Sequence, residues 1–203
     1  MTNPADDLQE IKAMMAKSTR FLSLSGSSGV LIGIYASIAA WLAYTWLYPE
    51  GFIEELNNWL NPEDLFPRFL ILATGLIVLT LGTAYFLSRL RSKKNAEQIW
   101  SPAGRRFLSA LFLPLVVGGL TIVAQLYAEN YTFIPGTMLI FYGLALLNAA
   151  KFTVGTIRNL GMIQVLLGLF SHFFPELGLL FWWLGFGLTH IFYGAIMYFK
   201  YEK

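Results

Sequence analysis

The chain alternates long apolar runs with short polar connections. Within a run the apolar residues are continuous, with no residue-by-residue alternation. That pattern specifies helices, because the strands of a membrane barrel alternate apolar and polar positions. Six runs stand out, at about 22–47, 68–88, 107–128, 133–150, 158–174 and 178–199. A helix needs about 20 apolar residues to cross the hydrocarbon core of a bilayer. The expected fold is therefore all-α, a polytopic membrane protein with six transmembrane helices. The fourth and fifth runs are short, and the connection K-F-T-V-G-T-I-R between them could belong to either helix end.

Where the charges fall sets the threading. Lys12, Lys17 and Arg20 precede the first run. Arg89, Arg91, Lys93, Lys94, Arg105 and Arg106 lie between the second and third, Lys151 and Arg158 between the fourth and fifth, and Lys200 and Lys203 at the end. In a six-helix chain all of these share one side, and Arg68 is the exception. Glu50, Glu54, Glu55, Glu63, Asp64, Glu129 and Glu176 occupy the other side. By the positive-inside rule both termini are expected in the cytoplasm. Tyr44, Trp46, Tyr48, Trp182 and Trp183 then fall near the outer boundary, where interfacial aromatics belong. The acidic start, M-T-N-P-A-D-D-L-Q-E, lacks the basic region of a cleavable signal, so the first helix is expected to be retained. The basic cluster Arg89, Arg91, Lys93, Lys94, Arg105 and Arg106 is either an orientation signal or a contact for anionic lipid headgroups.

Two segments outside the runs are amphipathic. Residues 1–20 form an expected cytoplasmic segment ahead of a single membrane domain, 21–203. Within it, Asn3 suits a helix cap, Pro4 the first turn, and Asp6 and Asp7 the helix dipole. Leu8, Ile11, Met14 and Met15 share one face, which could dock a cytoplasmic partner, as in a membrane sensor, lie on the inner leaflet, or simply extend the first helix. Residues 51–60 carry a second stripe, Phe52, Ile53, Leu56, Trp59 and Leu60, which reads as an interfacial outer helix. Asn61 and Pro62 then mark the start of the second helix, with Pro67 one turn in.

The even-numbered runs share a spacing: Pro67, Gly75 and Thr80, then Pro135, Gly143 and Asn148, with Pro175, Gly185 and His190 two residues looser. R-F-L-S also recurs, at 20–23 and 106–109. These echoes point to three parallel helical hairpins. The last hairpin, L-G-M-I-Q-V-L-L-G-L-F-S-H-F-F-P-E-L-G-L-L-F-W-W-L-G-F-G-L-T-H-I-F-Y-G, resembles the repeat unit of HdeD-type acid-resistance membrane proteins. The resemblance covers about 45 residues well and the other hairpins weakly. The chain is also similar to bacterial six-helix inner-membrane proteins without an assigned activity. These likenesses imply a multi-pass bacterial inner-membrane protein, stress-related or structural, and no catalytic residue. The long acidic connection 48–66 and the extended N-terminal segment depart from the family pattern.

Composition narrows the chemistry. Only 13% of the 203 residues are charged, against about 25% in soluble domains. The net charge of +2 gives no general attraction to nucleic acid. The absence of cysteine removes disulfides, iron–sulfur clusters and thiolate metal sites. No paired acids, phosphate loop or H-E-x-x-H occurs, so an enzyme is not expected, and neither is a cofactor.

A few polar residues inside the runs need partners. His190 lies about 18 Å along its helix from Gly178, in the inner half of the bilayer. An unpaired ring N–H there would cost about 1–3 kcal/mol. Asn148, Thr80 and Gln164 are its candidate partners. The group reads either as an interhelical lock or as part of a path in a small channel or transporter. His172, beside Glu176, is a candidate outer pH sensor. The two histidines are too far apart to share a metal. Ser25, Gly29, Gly33 and Ser37 recur every fourth residue, a ladder for close helix packing, within the chain or in a homo-oligomer.

Overall fold

The computed structural model describes residues 25–47, 62–94, 101–153 and 155–201. The amphipathic stretches expected at 3–20 and 51–60 lie outside the described residues. Among the described residues six α-helices form, one over each apolar run: α1 (Gly26–Leu47), α2 (Pro62–Lys94), α3 (Pro102–Tyr127), α4 (Ile134–Ala149), α5 (Thr156–Phe173) and α6. The last runs as α-helix over Gly178–Trp182, widens to a π-helical turn over Trp183–Leu188, and resumes as α-helix over Thr189–Tyr201.

Five of the six are long and apolar enough to cross a membrane, and α5 is not. The expectation of six spanning helices is corrected in that respect. At 18 residues, α5 is about 27 Å long, slightly under the hydrocarbon thickness. Arg158, Asn159, Gln164, Ser171 and His172 dilute its apolar content. Arg158 lies in its first turn and is exposed, so its charge stays at the helix end.

Local signals fix the helix ends. Pro62 and Pro102 open their helices at positions where a missing N–H is tolerated. The Ser101 hydroxyl accepts from the Gly104 N–H at 3.1 Å, capping α3. At the other end Asn130 N–H donates to the Gln125 carbonyl and Glu129 N–H to the Leu126 carbonyl. This is a Schellman closure, with Glu129 at φ 53° in the left-handed position that glycine usually takes.

The packing is less regular than three equal hairpins. α4 packs on α5 and α1 on α6, and both seams join helices of different hairpins. α2 leans on α1 and α3 on α4, so these two long helices are peripheral. α5 and α6 meet chiefly near their connecting turn. Glycines make the two seams. A Cβ on Gly143 would sit 2.7 Å from the Gly161 carbonyl oxygen, and one on Gly168 would sit 2.9 Å from that of Gly136. Likewise a Cβ on Gly29 would reach Gly194 Cα at 3.0 Å, and one on Gly33 the Gly187 carbonyl oxygen at 2.6 Å. Both pairings run antiparallel.

Candidate functional site

Two buried polar side chains, Gln164 and His190, meet at the π turn of α6. Its wider winding brings three side-chain donors onto one backbone carbonyl, that of Gly185. Gln164 Nε2 donates to it from α5 at 2.7 Å. His190 Nδ1 donates at 2.9 Å, and the Thr189 hydroxyl donates as well. Because a carbonyl only accepts, His190 carries its proton on Nδ1. Its Nε2 is then an acceptor, and the Tyr142 hydroxyl of α4 donates to it at 2.8 Å. Gln164 Nε2 also reaches the Thr189 hydroxyl oxygen at 3.2 Å. One cluster thus ties α4, α5 and α6 together.

The cluster is enclosed. Gln164 and His190 are buried, and aromatic rings wrap the imidazole. Phe186 stacks on it at 5.9 Å between centroids and Tyr142 at 5.5 Å, while Trp182 extends the row at 5.1 Å from Phe186. The Trp182, Phe186 and His190 spacing puts all three on one helical face. Gln164 Oε1 has no hydrogen-bond partner. It lies against Gly185, where a Cβ would come within 2.6 Å of it.

The other residues singled out from sequence are elsewhere. Asn148 does not reach His190. Its Nδ2 donates across to the Ala110 carbonyl of α3 at 2.7 Å. Pro114 explains the need. Lacking an N–H, it leaves the carbonyl four residues earlier, that of Ala110, without its helical donor. Thr80 lies on peripheral α2, where its hydroxyl donates to its own helix at Leu76. His172 donates from Nδ1 to the Gly168 carbonyl at 2.9 Å and stacks on Phe133, while Glu176 is exposed. Of the four-residue ladder, Gly29 and Gly33 face α6. Ser25 pairs with Ser27 at 2.7 Å. Ser37 donates to the Gly33 carbonyl and accepts from Trp183 Nε1 at 3.2 Å. Of the basic cluster, Arg89, Lys93, Arg105 and Arg106 are exposed, Arg91 is half-buried, and Lys94 closes α2.

Sequence reasoning missed Tyr142, Thr189 and Pro114. Two of these carried a signal. A tyrosine deep in an apolar run needs a partner for its hydroxyl, and a proline in mid-run frees a carbonyl that something must satisfy. The Pro114–Asn148 pairing makes a testable expectation. Asn148→Leu should destabilise the protein by about 1–3 kcal/mol through the orphaned Ala110 carbonyl. Pro114→Ala restores the N–H and should remove most of that penalty. Equal Asn148→Leu penalties in both backgrounds, measured by denaturant unfolding, would refute the coupling.

Among the described residues no three or more histidine, aspartate or glutamate side chains converge as metal ligands would. The cluster offers neutral donors and acceptors on three helices, an arrangement suited to fixing their relative position. No protein-family model matches the sequence, and neither a curated protein nor a solved structure matches it significantly.

Proposed function

We propose that the chain is a non-enzymatic integral membrane protein that acts through a fixed helical bundle. Both termini are cytoplasmic, and six membrane helices are arranged as three hairpins, with the short α5 packed along one face against α4. The outward faces of α2 and α3 support this. Val78 and Leu81 are 65% exposed, and Phe112 and Leu113 are 67% and 66% exposed. Apolar surface on that scale suits lipid and not water. A role in stress response or membrane architecture, in a bacterial inner membrane, is proposed with it, on the resemblance of the last hairpin to HdeD-type proteins.

One observation favours a packing role over a solute path: the two side chains expected to line such a path, His190 and Asn148, are already committed. His190 holds Tyr142 and Gly185, and Asn148 holds Ala110. A conducting path would need such groups turned toward a shared water-filled space.

The test is purified protein in proteoliposomes, wild type against His190→Ala, with proton and solute flux recorded. No flux above empty vesicles is expected for either. Flux in the wild type that His190→Ala alters would establish the transporter reading instead. Reporters active only outside the cytoplasm, fused to either end, should both stay dark. A signal from one end alone would overturn the threading.

A further inference from the structure

α2 leans on α1 and leaves a cleft of about 140 Å³ toward α4 and α6. Small side chains make room for it: Ala39 and Ala43 on α1 and Ala73 on α2. Phe69, Leu76 and Trp182 wall it, and Tyr131 stands at the end nearer the α3–α4 turn. The surface is almost wholly apolar. Such a space stays dry, and left empty it forfeits the dispersion contacts that its lining could make.

Beside that end sits Arg68, one residue from Phe69. Its Nη1 donates to the Trp46 carbonyl at 3.1 Å, and its guanidinium lies 5.9 Å from the Trp46 ring centroid. Trp46 is one turn beyond Ala43, so the cation is held at the cleft mouth. The contact satisfies one of the carbonyls left over at the end of α1. A guanidinium has five N–H donors in a fork that matches phosphate. Arg68 is also the one basic residue on the acidic side of the proposed threading, so the positive-inside rule gives it no role.

We infer that the cleft binds one acyl chain of an anionic glycerophospholipid of the outer leaflet, with Arg68 holding the phosphate headgroup. This rests on the membrane threading proposed above. The headgroup meets the side chain that matches it, and the chain lies along the alanine floor between α1 and α2. Trp46 and Tyr131 stand at the headgroup level, where amphipathic rings favour the interface. A zwitterionic lipid could fill the same space but adds a cation beside Arg68, so net charge discriminates the two.

The experiment uses the full chain extracted in neutral detergent and examined by native mass spectrometry. It is incubated with phosphatidylglycerol or phosphatidylcholine of identical acyl chains. The wild type should retain one phosphatidylglycerol about tenfold more strongly than phosphatidylcholine. Arg68→Gln should abolish that preference and Arg68→Lys should keep most of it. Ala43→Phe and Ala73→Phe, which fill the cleft from opposite walls, should lower retention of both lipids, with circular dichroism confirming helical folding. Equal retention of the two lipids by the wild type, an unchanged preference in Arg68→Gln, or full retention in both filled variants overturns the inference. Alkaline carbonate extraction of the source membranes separates this from the threading. A chain that stays in the pellet without lipid preference loses the site alone, and a chain released by carbonate loses the threading as well.

Discussion

Replacing Gly194 by alanine should destabilise the bundle by about 3 kcal/mol, while Gly82→Ala should be neutral or stabilising by up to about 1 kcal/mol. Both glycines sit in apolar helices, and sequence alone does not separate them. The structure does. A Cβ on Gly194 would lie 2.4 Å from the Val30 nitrogen and 2.6 Å from the Gly26 oxygen. Those atoms are backbone and cannot rotate away, so α1 and α6 must separate along their seam. Separation also weakens the Ser37–Trp183 contact and the packing of Gly29. A Cβ on Gly82 would meet no atom within 4 Å. There the only change is the better helix propensity of alanine, which frees less backbone entropy on unfolding. Chemical denaturation of the detergent-solubilised protein, followed by circular dichroism, measures both. Equal effects of the two substitutions would mean that α1 and α6 do not pack as described.

The contrast also marks what could be read from the chain. Helices were legible, because a continuous apolar run bounded by prolines and charges has few other solutions. Asn61 and Pro62 mark the start of the second helix in the sequence, and the Ser101 cap before Pro102 is a signal of the same kind that sequence reasoning missed. Which face of each helix is buried was not legible. In lipid-facing helices the outer face is as apolar as the inner one, so periodicity loses its meaning. α2 shows this plainly: Leu70, Ile71, Val78 and Leu81 point outward, and nothing in their chemistry distinguishes them from Leu72 or Leu76. The spacing shared by Thr80, Asn148 and His190 suggested one polar level across three helices. Instead each residue answers a local need: a turn of its own helix, the carbonyl freed by Pro114, and the π turn. The shortfall of α5 has the same origin. Its polar residues interrupt an apolar run, and Gln164 and Ser171 are buried there against other helices.

His190→Ala should cost about 3–5 kcal/mol, comparable to deleting a buried aromatic ring. The loss has three parts: the gap left against Phe186 and Tyr142, the bond to Gly185, and the stranded Tyr142 hydroxyl. The Gly185 carbonyl itself is not orphaned, since Gln164 and Thr189 still donate to it. The hydroxyl can be isolated from the gap by comparing Tyr142→Phe, His190→Phe and the double variant. Each single change leaves one polar atom buried without a partner, at about 1–3 kcal/mol. The double change removes both partners and preserves two rings of similar size, so its penalty should fall below the sum of the singles by about 1–2 kcal/mol. If the pair only fixes the positions of α4 and α6, the double variant should also stay a monodisperse helical bundle with the wild type's unfolding cooperativity. Additive penalties would mean that the Tyr142–His190 bond is absent in the folded protein, and the polar cluster would then tie only α5 to α6, through Gln164.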